Sequence, residues 1–343
     1  MWLRLETVPL CNGQIRYGNS KRMKVLLVSN TYSPAVQLQF EGLLSLGVDI
    51  SILLSNRLGE GRFTYLTLPF RLKRQISAFK PDIVHVQFGG VQAAIATFFI
   101  RIRSRCVVTF HGTDLHGGTR TLSFISALSQ RIGVWCSRYA ARRAAWNIVV
   151  SKSLCQYLPQ NILNVSVITT GVDLDSFKPM DRKKCLAQLK LDPEVQWVLF
   201  CDYSHDPIKR RDLANAVVEK TRSLGYQSYL LELNKVDHDL VPLYLNAATV
   251  LLLTSDKEGS PNIVKEALAC NIPIVSVDVG DVRSRIGNVA GCSVCAQDID
   301  ELASALCSVF DGPGICDAYE KVRDDLDNKK ICRRIIKIYE TLV

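Results

Sequence analysis

No stretch of this chain is apolar for long enough to cross a bilayer as a helix. That needs roughly 18 or more consecutive apolar residues, and the longest candidate, residues 93–100, is closed by Arg101, Arg103 and Arg105. Residues 1–22 carry charges and have no continuous apolar core, so they do not read as a secretory signal. They are expected to be a loose leader, with Met23 an alternative start. The twelve cysteines fall singly, several within apolar runs (Cys106, Cys201, Cys270, Cys307), without the spacing of a disulfide framework. A reducing compartment follows. Cys292 and Cys295 make one CxxC, but no second pair or nearby His completes a zinc site, and both are expected to pack as small hydrophobes. There is no solenoid-type repeat and nothing that resembles a nucleic-acid-binding motif.

Acidic residues are scarce in one half only. The net charge of +9 conceals 20 Lys and Arg against 6 Asp and Glu before Gly171, and 22 against 27 from there on. A basic half of this kind suits an anionic membrane surface or a phosphorylated substrate. Within residues 120–146, expected to be mostly helical, Arg131, Arg138, Arg142 and Arg143 fall on successive turns and read mainly as a solvated face.

What the chain does have is a repeating alternation. Continuous apolar, β-branched runs at 24–30, 48–55, 82–87, 106–110 and 147–151 are separated by segments of helical length. Such runs predict a parallel sheet covered on both faces. A short strand at 165–168 leads to Thr169-Thr170-Gly171-Val172-Asp173, and a new cycle begins, with strands at 197–202, 227–233, 250–254 and 274–277. Helices are expected from about Arg211, Asp239, Pro261 and Asp298. The chain is thus an α/β protein of two doubly wound domains, 23–170 and 171–327, followed by a basic helix at 328–343.

Residues 250–282 carry the chemistry. The strand 250–254 ends at the polar loop 255–259, and Ser260-Pro261 reads as an N-cap followed by the first helical residue. In a right-handed strand–helix–strand crossover, ligands sit at the carboxyl ends of the strands, and the free amides near Asn262 favour phosphate. Glu258 and Glu266 flank that helix start, where acids suit sugar hydroxyls better than phosphate. His111 follows the 106–110 strand directly, beside Gly112; His85 and His116 have weaker claims.

The stretch EGSPNIVKEALACNIPIVSVDVGDV resembles the glutamate-x7-glutamate donor signature of the retaining glycosyltransferases of family 4, which have the GT-B fold. VVTFHGTDLHG, NIVVSKSL and TTGVDLDSFKP are similar to further motifs of that family and occur in the expected order, so the resemblance runs from about Lys24 to the C-terminus. It implies two Rossmann-like domains facing a central cleft, with the last helix packing back on the first domain. It also implies that Glu258 and His111 position the donor sugar, that Glu266 holds the ribose hydroxyls, and that the backbone of Gly259, Ser260 and Asn262 holds the diphosphate. Lys209 matches the family's diphosphate-clamping lysine. Asp202-Tyr203, however, stand where the family has Gly-Arg, which leaves Arg210 as the candidate replacement, and the first strand–helix turn (30–36) lacks the usual Gly-Gly.

The implied activity is transfer, with retention, of a hexosyl-type sugar from a nucleotide diphosphate sugar to a sugar or lipid-linked acceptor. No metal and no cofactor are expected, and no nucleic acid. The Gly280–Val282 ending and the Lys-Arg pair resemble enzymes of bacterial surface-polysaccharide or cell-wall polymer assembly, placing the protein in the cytoplasm at the inner membrane face. Peripheral contact with anionic lipid is expected through 93–105 and 120–143. The departures leave two alternatives open, a non-catalytic nucleotide-sugar-binding subunit of a polysaccharide-assembly complex and a GT-B nucleotide-sugar epimerase.

Overall fold

The computed structural model describes residues 22–56, 64–100, 105–117, 124–203, 206–312, 314 and 316–343. The expected leader, apart from Arg22, lies outside these residues, as do Arg101, Arg103 and Arg120. The first sheet contains β1 (Lys24–Ser29), β2 (Asp49–Leu54), β3 (Ile83–Gln87), β4 (Cys106–Phe110), β5 (Trp146–Val149) and β6 (Val165–Val167) in the order β2-β1-β3-β4-β5-β6. The second contains β7 (Gln196–Cys201), β8 (Ser228–Leu233), β9 (Val250–Leu253), β10 (Ile274–Val277) and β11 (Ser293–Cys295) in the order β11-β10-β9-β7-β8. Every pairing is parallel. The inner strands β3, β4, β9 and β10 are buried at every residue, which is why their sequences run apolar without alternation. Edge strands β2 and β6 are only partly buried and are correspondingly more polar.

Helices cover both sheets. In the first half these are α1 (Pro34–Ser45), α2 (Thr64–Phe79), α3 (Gly90–Phe99), α4 (Thr113–His116) and α5 (Phe124–Arg143). In the second they are α6 (Arg182–Leu189), α7 (Arg211–Ser223), α8 (Val241–Ala247), α9 (Asn262–Ala269), α10 (Val282–Ile286), α11 (Ile299–Asp311) and α12 (Ala318–Leu326), and α13 (Asn328–Glu340) closes the chain. The order in each sheet reverses next to its first strand, between β1 and β3 and again between β7 and β9. Crevices for ligands open at the carboxyl ends of strands at such points.

The sequence reading differs from the structure at the start of α9, and it does not mark α6, α10, α12 or β11. Ser260 does not cap α9: Pro261 occupies the N-cap position without a side-chain bond, and Asn262 is the first helical residue. The Ser260 hydroxyl is instead spent on Asp281, at 2.9 Å. The CxxC lies at strand β11, too short to stand out by pattern, and Cys295 packs in the core beside Val275 and Leu302.

Although α13 is last in sequence, its apolar face completes the first domain. Ile331, Cys332, Ile335, Ile338 and Tyr339 pack in one cluster with Val25, Leu43, Ile83, Val107 and Ile148. The segment leaving the first domain passes close to the start of α13 at Gly171, where an added Cβ would stand 2.7 Å from Asn328 Cα, so a side chain there would push that segment off the helix. Tyr339 is fully buried, with its hydroxyl 2.5 Å from His85 Nδ1. Tyr339→Phe strands that ring nitrogen without a partner and should cost about 1–3 kcal/mol in urea unfolding; an unchanged midpoint would show that the contact contributes nothing.

Candidate active site

The second domain supplies a cation and a carboxylate already in contact. Lys209 ends a short 3-10 turn that follows β7, and Glu258 lies in the loop that follows β9. Because β7 and β9 are neighbours, the two loops meet. Lys209 Nζ lies 2.6 Å from Glu258 Oε1, which also accepts from Ser255 Oγ at 2.9 Å. Burial works against the Lys209 ammonium, but the adjacent Glu258 carboxylate outweighs it and holds the pKa above its ordinary value. Asp202, where the family has its Gly-Arg, is buried and turns back to accept from the Asp206 backbone at 3.1 Å, shaping the turn that presents Lys209. Arg210 is engaged otherwise: its guanidinium binds Asp212 at 2.9 Å and Asp256 at 3.1 Å, and these partners raise its pKa.

The first domain supplies an imidazole. His111 follows β4 and its ring lies against Phe88, with centroids 4.1 Å apart. Gln87 directs its amide nitrogen to Gln39 Oε1 and His85 Nε2, so its oxygen accepts from His111 Nε2–H at 3.0 Å. That fixes the tautomer. Burial pulls the His111 pKa down to about 4; Asp114 opposes this and Lys265 adds to it, and the ring is neutral at physiological pH. Asp114 organises the loop from beneath, accepting from the backbone amides of His111, Gly112 and Gly89. His85, pushed down to about 3 by burial, bonds Thr109 and Tyr339 inside the sheet. His116 bonds its neighbour Gly117 O at 2.6 Å and its ring faces Tyr157.

The two sides meet backbone to backbone. Gly112, at φ +137°, approaches Gly259 so closely that an added Cβ would stand 2.9 Å from Gly259 Cα, and a Cβ on Gly259 would overlap the His111 carbonyl. On the α9 side an open cleft of about 260 Å³ lies between the start of α1 and the second domain, lined by Pro34, Gln37, Asp173, His238, Asn262 and Glu266 among others. Glu266 Oε1 lies 3.2 Å from His238 Nε2, a hydrogen bond that raises the histidine pKa.

The structure thus gathers His111, Lys209, Glu258 and Gly259 at one junction, with Ser260 just before α9 and Asn262 and Glu266 on α9 lining the cleft. Arg210 is set apart by its two aspartates. Sequence reasoning missed Asp114, Gln87 and His238. Asp114 stands in HGTD and could have been found as an acid two residues after a glycine, poised to collect backbone amides; Gln87 and His238 carry no local signal.

Comparison with known proteins agrees in outline. The family profile described as Glycosyltransferase Family 4 matches residues 19–176, and that described as Glycosyl transferases group 1 matches residues 184–311. A D-inositol 3-phosphate glycosyltransferase 2 of Catenulispora acidiphila is 25% identical over 183 residues, 43% of this chain and 43% of that protein. The matches span less than half the length of such curated relatives. Among solved structures, a sucrose-phosphate synthase from Thermosynechococcus elongatus superposes with a TM-score of 0.76 at 17% identity, covering 94% of this chain and 99% of that one. HepE of Anabaena in complex with UDP and glucose gives 0.65 at 17% identity, covering 93% and 100%. At these identities the likeness is one of fold, the GT-B arrangement of two parallel-sheet domains.

The site makes a pH prediction of its own. An unfolded His titrates near 6.5, so between that value and about 4 the unfolded chain binds a proton that folded His111 refuses. Stability should therefore fall as pH drops through this window. NMR titration should show no protonation of His111 or His85 above about pH 5; a His111 midpoint near 6.5 would contradict the geometry.

Proposed function

The chain belongs to the group 1/family 4 glycosyltransferases, and from that premise we propose that it transfers a sugar from a nucleotide diphosphate donor, with retention of configuration. The observation that carries this reading is the junction of His111 from one domain with Lys209, Glu258 and Gly259 from the other. An imidazole and a carboxylate frame the place of the donor sugar, and an ammonium stands beside them for the charge that develops on the leaving diphosphate. The amides of Gly259, Ser260 and Asn262 at the start of α9 add partial positive charge on the same side. Lys209 and these amides do the electrostatic work that a divalent cation does elsewhere.

In the free protein Glu258 neutralises Lys209 at 2.6 Å. Donor binding brings a competing anion, so Lys209 turns to the diphosphate and Glu258 is released to accept a sugar hydroxyl. Arg210, held by Asp212 and Asp256, reaches a phosphate only by giving up those partners, and it contributes less than Lys209. The nucleotide occupies the open cleft with its ribose on Glu266, where His238 keeps the carboxylate in place.

The acceptor reading rests on the first domain. On α5 the exposed Leu128, Ile132 and Trp135 repeat at i, i+4 and i+7, and the exposed Phe98 and Phe99 end α3, which packs on α5. Arg131, Arg138 and Arg142 are exposed on the same helix, and Arg143 lies 5.7 Å from the Phe98 ring centroid. An apolar stripe between arginines suits a layer of anionic headgroups, which supports a lipid-linked acceptor at the cytoplasmic face and a role in surface-polysaccharide or cell-wall polymer synthesis. Among the described residues no helix is long and apolar enough to cross a membrane, so this contact is peripheral.

Incubation with a panel of nucleotide sugars, with and without sugar and lipid-linked acceptors, separates the readings by product: transfer supports ours, isomerisation an epimerase, and binding without turnover a non-catalytic subunit. Glu266→Ala should weaken free nucleotide by about 1–3 kcal/mol in calorimetric titration, whereas Glu258→Ala should lower turnover and leave nucleotide affinity almost unchanged. Equal affinity losses in the two variants would refute this division of roles. The protein should also sediment with anionic vesicles at low salt and leave them at high salt; protein that stays in the supernatant with anionic vesicles at low salt rules out the membrane contact.

A further inference from the structure

Lys265 is a charged residue where an apolar one would be expected. It sits on α9 between Val264 and Glu266 and has no exposed surface. Among the described residues no carboxylate lies within ion-pair distance of it; its ammonium is met by two hydroxyls, those of Thr170 and, at 3.4 Å, Thr169. Both threonines belong to the segment that joins the two domains. A buried ammonium satisfied only by hydroxyls is costly to keep, and a well-packed apolar side chain of similar volume is often neutral or stabilising in its place. Packing therefore does not account for it.

Its partners lead to the donor loop by two routes. Thr170 Oγ1 accepts from Lys265, so its own proton is free for Asn262 Oδ1, 2.7 Å away. Thr169 Oγ1 accepts from Lys265 and, at 2.8 Å, from Arg285, so its proton goes to Ser260 Oγ at 3.3 Å. Ser260 in turn donates to Asp281 Oδ2, which also receives Arg285 Nε at 2.6 Å. The chain of bonds closes on itself and has one consistent direction, running from the two cations through the threonines to Ser260 and Asn262. Asp281 Oδ1 is buried and has no hydrogen-bond partner among the described residues. The cluster as a whole holds two cations and one anion.

We infer that Lys265 is a positioning residue for the nucleotide diphosphate: acting through Thr169 and Thr170, it fixes Ser260 and Asn262 at the start of α9 and ties the phosphate-binding loop to the interdomain segment. The excess positive charge beneath the loop stands in for the arginine absent at Asp202-Tyr203, from behind the amides rather than in front of the phosphates. This inference rests on the donor reading above. The groups that face Lys265 are Arg285 and Asp281 from the α10 side, Glu266 beside it on α9, and His111 from the end of β4. Burial, with Arg285 adding to it, draws the Lys265 pKa down to about 7, against the opposing pull of Asp281 and Glu266. The ammonium is then present below neutrality and lost above it. Since an unfolded lysine titrates near 10.5, the unfolded chain binds the extra proton between about 7 and 10.5 and Lys265 lowers stability most below that window.

The test uses the full chain with UDP, GDP and ADP in turn as calorimetric probes, alongside thermal unfolding. Lys265→Met should unfold at the same temperature or higher, yet bind the preferred nucleoside diphosphate about tenfold more weakly or worse, and in turnover it should raise the donor KM far more than it lowers kcat. Thr170→Val should act in the same direction, and the double variant should lose little more than either single one. Affinity of the unaltered protein should decline through about pH 7 relative to the Lys265→Met profile. Nucleotide affinity unchanged in Lys265→Met, with the unaltered protein binding, overturns this inference alone; an unaltered protein that binds none of the three probes overturns it together with the donor reading.

Discussion

Everything in the site depends on one close approach between two glycines. Gly112 follows the end of β4 and Gly259 follows the end of β9, and their backbones are in contact with no room for a side chain on either. Each glycine is flanked by a functional group, His111 on one side and Glu258 on the other, so the contact fixes where imidazole and carboxylate stand relative to each other. Two parallel sheets each put their ligand-binding loops at the carboxyl ends of the strands. Bringing those ends together without side chains between them makes one site from two halves. Gly280, at φ +60°, stacks on the Gly259 carbonyl from the other side, and an added Cβ would stand 2.7 Å from it. The donor loop is thereby held from both directions.

Much of this is legible in the sequence because it depends on local pattern. Inner strands are buried on both faces, so runs such as CVVTF and IVSV must be apolar throughout, and they mark β4 and β10 to the residue. Edge strands give weaker signals, as at β6 and the three-residue β11. Glu258 and His111 are legible because they stand next to glycines in the loops after strands, and Glu266 through its spacing from Glu258. What the sequence conceals are the groups that act across long separations. Gln87 reaches His111 over 24 residues, His238 reaches Glu266 over 28, and Lys265 reaches Thr170 over 95. Ser260 shows how a local rule fails: serine before proline reads as a cap, but the Asp281 carboxylate 21 residues later competes for the hydroxyl and wins.

Charge is arranged by the same logic of mutual commitment. Three acids of the junction and of α9 already have basic partners: Glu258 with Lys209, Glu266 with His238, Asp281 with Arg285. For the proposed donor, a dianion bound through its sugar and phosphates, such pairing would limit repulsion by these three acids without removing the acceptors that sugar hydroxyls need. The cost is that Lys209 is not free when the donor arrives. The proposed exchange of partners at Lys209 would make the site responsive, since Glu258 would become available for a hydroxyl only when a phosphate had taken its place.

The buried lysine completes this arrangement. With every other cation of the junction neutralised by a carboxylate, Lys265 alone keeps its charge unbalanced among the described residues, and it lies beneath the amides that face the phosphates. A low-dielectric interior extends the reach of that charge well beyond what an exposed lysine achieves. Burial is therefore what makes the charge useful and also what makes it expensive, and the threonine hydroxyls at the joining segment reduce the expense only in part. On the proposed reading the remainder would be relieved when an anion came within reach, so the stability withheld from the free protein would reappear as affinity for the donor.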